Sequence, residues 1–134
     1  MTRLILTLLG AALTIGMMSG QESNPQYEKA LFASGCYWGT EYYMQQAEGV
    51  IETRVGYAGG NVENPSYREV TTGRTGHAET VEVTYDPEKT NYEALARLFF
   101  NTHDPTQVDR QGPDVGNQYR SAIFYVSGHQ RDSA

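Results

Sequence analysis

The sequence predicts an α+β fold: a single mixed β-sheet with packed helices, a two-layer sandwich with a ferredoxin-like core. Three observations predict it. The ordered segments run strand, helix, strand, strand, helix, strand along the chain. Ala78 to Tyr85 alternates, with Glu79, Val81, Val83 and Tyr85 on one face and Thr80, Glu82 and Thr84 on the other, as in a strand with one buried face. Tyr92, Leu95, Leu98 and Phe99 then recur at helical spacing, giving the following helix one apolar stripe to lay on a sheet. A chain of 134 residues is long enough for one such domain.

The elements follow in order. Residues 1–20 read as a signal peptide: Arg3, an apolar run from Leu4 to Met18, then the small residues Ser19 and Gly20. The alternative is an uncleaved membrane anchor; the run is short for a span and holds Gly10 and Gly16, which favours cleavage and a secreted or periplasmic protein without stable membrane insertion. Residues 21–28 are polar and read as a flexible lead-in. Lys29 to Ala33 is a short apolar strand ending at Ser34-Gly35. A helix follows over Thr40 to Ala47, starting near Cys36, with Tyr43 and Ala47 on one stripe and Gly49 ending it. Val50 to Tyr57 is a second strand, with Ile51, Thr53, Val55 and Tyr57 on one face. Gly59-Gly60-Asn61 is a turn, Tyr67 to Val70 a short ordered segment, and Thr72 to His77 a second loop. After the strand at Ala78 to Tyr85, Thr90 and Glu93 have capping-box spacing, with Thr90 as N-cap of a helix running to about Asn101. Thr106 to Gln118 is a loop. Arg120 to Val126 is a last strand, apolar on both faces and so expected to be central.

Composition narrows the function. The net charge of −6 argues against a nucleic-acid partner, which needs a basic face. Tyr accounts for 10 aromatic residues against 4 Phe and 1 Trp, a set able to line a pocket with apolar walls and hydrogen-bonding tips. There is one cysteine, which cannot form an internal disulfide; a lone thiol in an exported protein calls for a chemical reason.

Cys36 lies where a strand gives way to a helix, between Gly35 and Gly39. Unpaired N–H groups and the helix dipole favour an anion there, and hence a reactive thiolate. The competing reading is a small buried hydrophobe. Glu79 shares a face with apolar residues; if it points inward, its pKa rises towards the range useful to a general acid, and if it lies past the core it sits in water. Tyr67 and Tyr119 flank loops and could donate hydrogen bonds to a substrate oxygen, or simply be surface tyrosines. Asp114 lies in a Gly/Pro-rich loop, where Asp also serves turn geometry. His77, Glu79, His103 and Asp104 are scattered without metal-ligand spacing, so no metal site is expected.

Gly35-Cys36-Tyr37-Trp38-Gly39 resembles the A-type peptide methionine sulfoxide reductases, specific for the S epimer. The likeness continues in register through Gly56-Tyr57-Ala58-Gly59-Gly60, Asn64 to Val70, Thr75-Gly76-His77-Ala78-Glu79, Asn101 to Pro105, and Asp114 to Ile123. The resemblance implies thiol-dependent reduction of methionine sulfoxide, free or in proteins, through a cysteine sulfenic acid. It makes Cys36 the nucleophile and Glu79 the proton donor to the sulfoxide oxygen. Tyr67 and Tyr119 would hydrogen-bond that oxygen, Asp114 would support the polar side, and Tyr37 and Trp38 would wall the S-methyl group. No metal or organic cofactor is implied, only an external thiol reductant such as thioredoxin or a small thiol, acting on a monomer. Residues 29–134 would form the catalytic domain. Three departures stand out. Tyr37 replaces the usual Phe. Resolving cysteines are not among these residues. Family members continue with a further helix and strand-bearing segment, so the domain is expected to lack its C-terminal part. Two other readings compete: a Cys–His hydrolase using His77 or His103, and a truncated, non-catalytic paralogue that binds Met-containing partners.

Overall fold

In the computed structural model, residues 26–134 are described. The predicted signal peptide lies outside them, and the last residue of the predicted lead-in, Glu28, opens the first strand. The elements are β1 (Glu28–Ser34), α1 (Tyr37–Met44), β2 (Val50–Ala58), α2 (Tyr67–Thr71), β3 (Ala78–Tyr85) and α3 (Tyr92–Asn101). Then come β4 (Arg110–Gln111), β5 (Asp114–Val115), a 3-10 turn (Asn117–Tyr119), β6 (Ser121–Phe124) and α4 (Gly128–Ser133).

Four strands form one sheet in the order β2-β3-β1-β6. This is the ferredoxin-like order: β1-α1-β2 and β3-α3-β6 are two crossover units whose strands interleave. Each unit places its own strands parallel but one position apart, and a strand of the other unit fills the gap. Every pairing is therefore antiparallel, and the sheet expected to be mixed is antiparallel throughout.

The two layers meet in one core. Ala30 and Phe32 of β1 and Val81, Val83 and Tyr85 of β3 face Met44 of α1 and Tyr92, Leu95, Ala96 and Phe99 of α3. The Phe32 ring stacks on Phe99 at 5.4 Å and on Tyr92 at 6.1 Å. Pairing aligns Thr53 with Val83, Val55 with Val81 and Tyr57 with Glu79, so these residues share the helix-facing side, as the alternation predicts.

Ile51 departs from that alternation. The register shifts between Val50 and Glu52, which leaves Ile51 as the extra residue of a β-bulge, exposed, while Val50 turns to the core. On α1 the buried stripe is Thr40 and Met44, whereas Tyr43 is exposed. The cap of α3 is Asn91, not Thr90: its Oδ1 accepts the Ala94 N–H at 2.8 Å. The predicted loop at 106–118 holds the β4–β5 hairpin and the 3-10 turn. β6 pairs with β1 alone and is the edge of the described sheet rather than its centre. Its apolar residues have partners on both faces all the same: Ile123 packs on the core, and the Phe124 ring lies close over Gly59. Past the end of β6, Gln130 of α4 takes over the pairing of β1 by donating to the Lys29 carbonyl at 2.7 Å.

Candidate active site

The site begins where β1 ends. Gly35 has φ +94°, and a Cβ there would lie 2.7 Å from the Cβ of Gln111, so only glycine lets the chain turn this tightly under the β4–β5 hairpin. The turn makes Cys36 the N-cap of α1, its carbonyl accepting the Gly39 N–H at 3.0 Å and the Thr40 N–H at 3.4 Å. The Cys36 side chain makes no capping hydrogen bond and is half-buried.

The first N–H of the helix, that of Tyr37, donates to Glu79 Oε2 at 3.0 Å. The helix start therefore holds a carboxyl directly, beside the thiol. Glu79 is only 2% exposed, on the inward face of β3, which rules out the placement in water. Burial pushes its pKa above the ordinary carboxyl range, the Tyr37 N–H opposes that shift, and the charge of Asp114 adds to it.

The other walls come from separate elements. Tyr67 opens α2, whose start is fixed by a capping box: Ser66 Oγ accepts the Glu69 N–H at 3.2 Å, and Glu69 Oε2 accepts the Ser66 N–H at 2.7 Å. Asp114 opens β5. Its hairpin is pinned by the Gln111 amide, which accepts from the Asp104 N–H at 3.0 Å and donates to the Asp104 carbonyl at 2.8 Å. Tyr119 lies on the 3-10 turn. That turn is tied to the 73–76 loop by Asn117 Nδ2 on the Gly73 carbonyl (2.9 Å) and Arg120 Nη2 on the Gly76 carbonyl (3.0 Å). Burial first, then the negative charge of Glu79, holds the Tyr119 phenol above its usual pKa, so it stays a donor.

Cys36, Tyr37, Trp38, Tyr67, Glu79, Asp114 and Tyr119 line one cavity of about 350 Å³. These are the residues singled out in the sequence, gathered from 36 to 119. Trp38 is 71% and Tyr67 55% exposed, so both stand at an open mouth. A smaller cavity, of about 210 Å³, touches Cys36 beside Ser34, Gly39, Thr40 and His103. A third hollow, along β2 and β3, is lined by Leu31, Arg54, Tyr57, Thr80 and Glu82 among others and does not reach Cys36.

Tyr57 had no assigned role. Its ring lies 6.0 Å from that of Tyr37, and the two hydroxyls are 3.4 Å apart. That contact, with burial, raises the Tyr37 pKa, so the extra hydroxyl at this position is neutral and spoken for. The signal was available: Tyr57 shares the strand face that aligns with Glu79.

Neither histidine can serve Cys36 as a base. His77 Nδ1 accepts the Gly60 N–H at 3.1 Å, which leaves Nε2 to donate to the Val62 carbonyl at 2.6 Å. His103 Nδ1 donates to the Phe99 carbonyl at 2.6 Å and Nε2 meets Ser121 Oγ at 2.9 Å. Burial lowers the His103 pKa, so the ring is neutral and Nε2 accepts from the serine. The hydrolase alternative thus lacks its base. Among the described residues no three His, Cys, Asp or Glu side chains gather as a metal site.

Fold and site define a class: a ferredoxin-like α+β domain that presents one thiol to a buried carboxyl and tyrosine hydroxyls. The sequence profile described as "Peptide methionine sulfoxide reductase" matches residues 28–134. The chain belongs to the peptide methionine sulfoxide reductase family. It is 57% identical over 109 residues to peptide methionine sulfoxide reductase MsrA of Methanothermobacter thermautotrophicus, covering 81% of this chain and 64% of that protein. It spans just under two thirds of that relative's length. Among solved structures, methionine sulfoxide reductase A of Corynebacterium diphtheriae aligns with a TM-score of 0.76 at 46% identity, over 81% of this chain and 51% of that one. Reduced Mxr1 from Saccharomyces cerevisiae aligns with a TM-score of 0.73 at 34% identity, over 80% and 64%.

Proposed function

We propose that this chain reduces methionine (S)-sulfoxide, free or in proteins, to methionine, with Cys36 as nucleophile and Glu79 as general acid. The observation that carries the reading is the single cavity in which a half-buried thiol meets a buried, high-pKa carboxyl and two tyrosine hydroxyls. A sulfoxide sulfur is electrophilic once its oxygen is polarised, and Glu79, Tyr67 and Tyr119, which line the same cavity as Cys36, are its proton and hydrogen-bond donors. The Cys36 thiolate attacks that sulfur while Glu79 protonates the oxygen. The oxygen passes to Cys36, the Cys36–methionine S–S contact breaks, and methionine leaves with the electron pair. Cys36 is left as a sulfenic acid. Thiolate and protonated carboxyl must coexist, which needs environments that separate their pKa values; burial of Glu79 supplies one side of that separation.

The sulfenic acid is returned to the thiol by an external reductant, a thioredoxin-like protein or a small thiol. Two thiols are oxidised to a disulfide, and the oxygen leaves as water. The leader-like residues 1–20 support export and substrates among secreted or envelope proteins. The open mouth at Trp38 and Tyr67 suits a methionine carried on a larger chain.

Mixing the protein with a methionine (S)-sulfoxide peptide in the absence of thiol tests this. The expected result is one equivalent of methionine peptide per protein and a trappable sulfenic acid on Cys36. Cys36→Ser yields none. A folded wild-type chain that forms no methionine rules the reading out and leaves a non-catalytic binding role.

A further inference from the structure

We propose that the smaller cavity beside Cys36, lined by Ser34, Gly39, Thr40, Tyr43 and His103, is the route by which the reducing thiol reaches the sulfur. The inference rests on the reading of Cys36 as the residue that becomes a sulfenic acid. Cys36 lies in the wall between two cavities. In the larger one, the transferred oxygen is held on the Glu79, Tyr67 and Tyr119 side. Substitution at sulfur proceeds in line: the attacking sulfur arrives opposite the departing oxygen. A thiol entering through the larger cavity would meet the oxygen first. The smaller cavity gives access to Cys36 that does not pass Glu79, Tyr67 or Tyr119.

The chemistry of its walls fits a small thiol. Ser34 Oγ and Thr40 Oγ1 are hydrogen-bonded to each other at 2.6 Å, and the His103 ring has both nitrogens engaged, so these groups compete little for an incoming sulfur. Asp114, which lines both cavities, is the charged group there. The site therefore favours a reductant without carboxylates over one that carries them. In the step, the incoming thiolate forms an S–S bond to Cys36 as the S–O bond breaks. Glu79, left as a carboxylate by the first step, takes up a proton again from solvent; the oxygen leaves with its electron pair, takes that proton and departs as water. A second thiol then attacks the outer sulfur of the mixed disulfide, releasing the Cys36 thiolate.

Gly39 offers the test. A Cβ built there meets nothing within 4 Å, and its backbone is helical, so Gly39→Leu fits the helix while filling the smaller cavity. Gly39 does not line the larger cavity. The sulfenic acid is made in two ways, by a methionine (S)-sulfoxide peptide and, independently, by one equivalent of hydrogen peroxide, which oxidises the thiol and is itself reduced to water. Its reduction by dithiothreitol and by glutathione is then followed in stopped flow. The expected outcome for Gly39→Leu is methionine formation at the wild-type rate, with reduction of the sulfenic acid slowed about tenfold or more, and more for glutathione than for dithiothreitol. Tyr43→Ala, at an exposed position on the rim, widens the cavity and speeds reduction by glutathione. Wild-type reduction rates for peroxide-generated sulfenic acid in both variants overturn the proposal, and if Gly39→Leu does not fold, an unchanged glutathione rate in Tyr43→Ala does so alone. If the wild-type chain forms no methionine, the proposed function fails, and the peroxide arm still decides the route.

Discussion

Glu79 is set where ionising it works against the fold. Its carboxyl is buried on the core side of β3, with one N–H donor, that of Tyr37, to compensate. A carboxyl whose folded pKa lies above its unfolded value carries no penalty below the unfolded value, near 4.5. The penalty grows as pH rises between the two values and is complete above the folded one. Glu79→Gln, which keeps an acceptor for Tyr37, is thus expected to equal or exceed wild type in Tm at neutral pH. That advantage should disappear as the pH approaches 4.5. The same variant should slow methionine formation by about 10²-fold or more and lack the fall in rate expected of the wild type as Glu79 deprotonates. Thermal melts across pH and single-turnover rates check both. A Gln variant that is less stable at neutral pH yet fully active would contradict the buried-acid assignment at both points.

At the scale of elements, the Gly35 turn carries the site. It delivers Cys36 to the head of α1 and packs β1 under the hairpin that bears Asp114. Gly35→Ala would place a side chain in left-handed backbone and against Gln111, at a cost of about 1–3 kcal/mol in strain. Because the hairpin must move to relieve the contact, the rate of methionine formation should fall as well as the denaturation midpoint. A variant that loses stability alone would show that Asp114 is not positioned through this contact. The same elements show what the sequence could and could not disclose. β3 was legible to its ends because one face is apolar along most of its length. Glu79 was legible because it breaks the chemistry of that face without breaking its period. The bulge at Ile51 was not, since an inserted residue shifts the period without altering composition. Thr90 and Asn91 can both cap a helix, and only backbone geometry selects Asn91. The two-residue strands β4 and β5 are too short for any periodicity. β6 reads as central because both faces are apolar, but one packs on the helices and the other under the Gly59 loop, a cover that alternation cannot distinguish from strands on either side.

On the scale of the whole molecule, the candidate site belongs to no single segment. Its residues come from the heads of α1 and α2, from β3, from β5 and from the 3-10 turn, and the sheet and its core hold these elements in register. The cavity therefore exists only when the domain is folded, and activity should be lost in the same transition as the core. Phe32 is the residue on which to test this. It is fully buried, stacks on Tyr92 and Phe99, and does not line the cavity. Phe32→Ala should destabilise the domain by about 3–5 kcal/mol, a large part of the roughly 5–15 kcal/mol typical of a domain. At low temperature, methionine formation per folded molecule should stay near wild type, because the walls of the cavity are intact. On heating, its loss should move down by the same interval as the loss of secondary structure. Gly35→Ala, by contrast, should depress activity even where the protein is fully folded. If Phe32→Ala instead lost activity well below its melting transition, the site would have to open before the core, and the hairpin and 3-10 turn would be the parts released first.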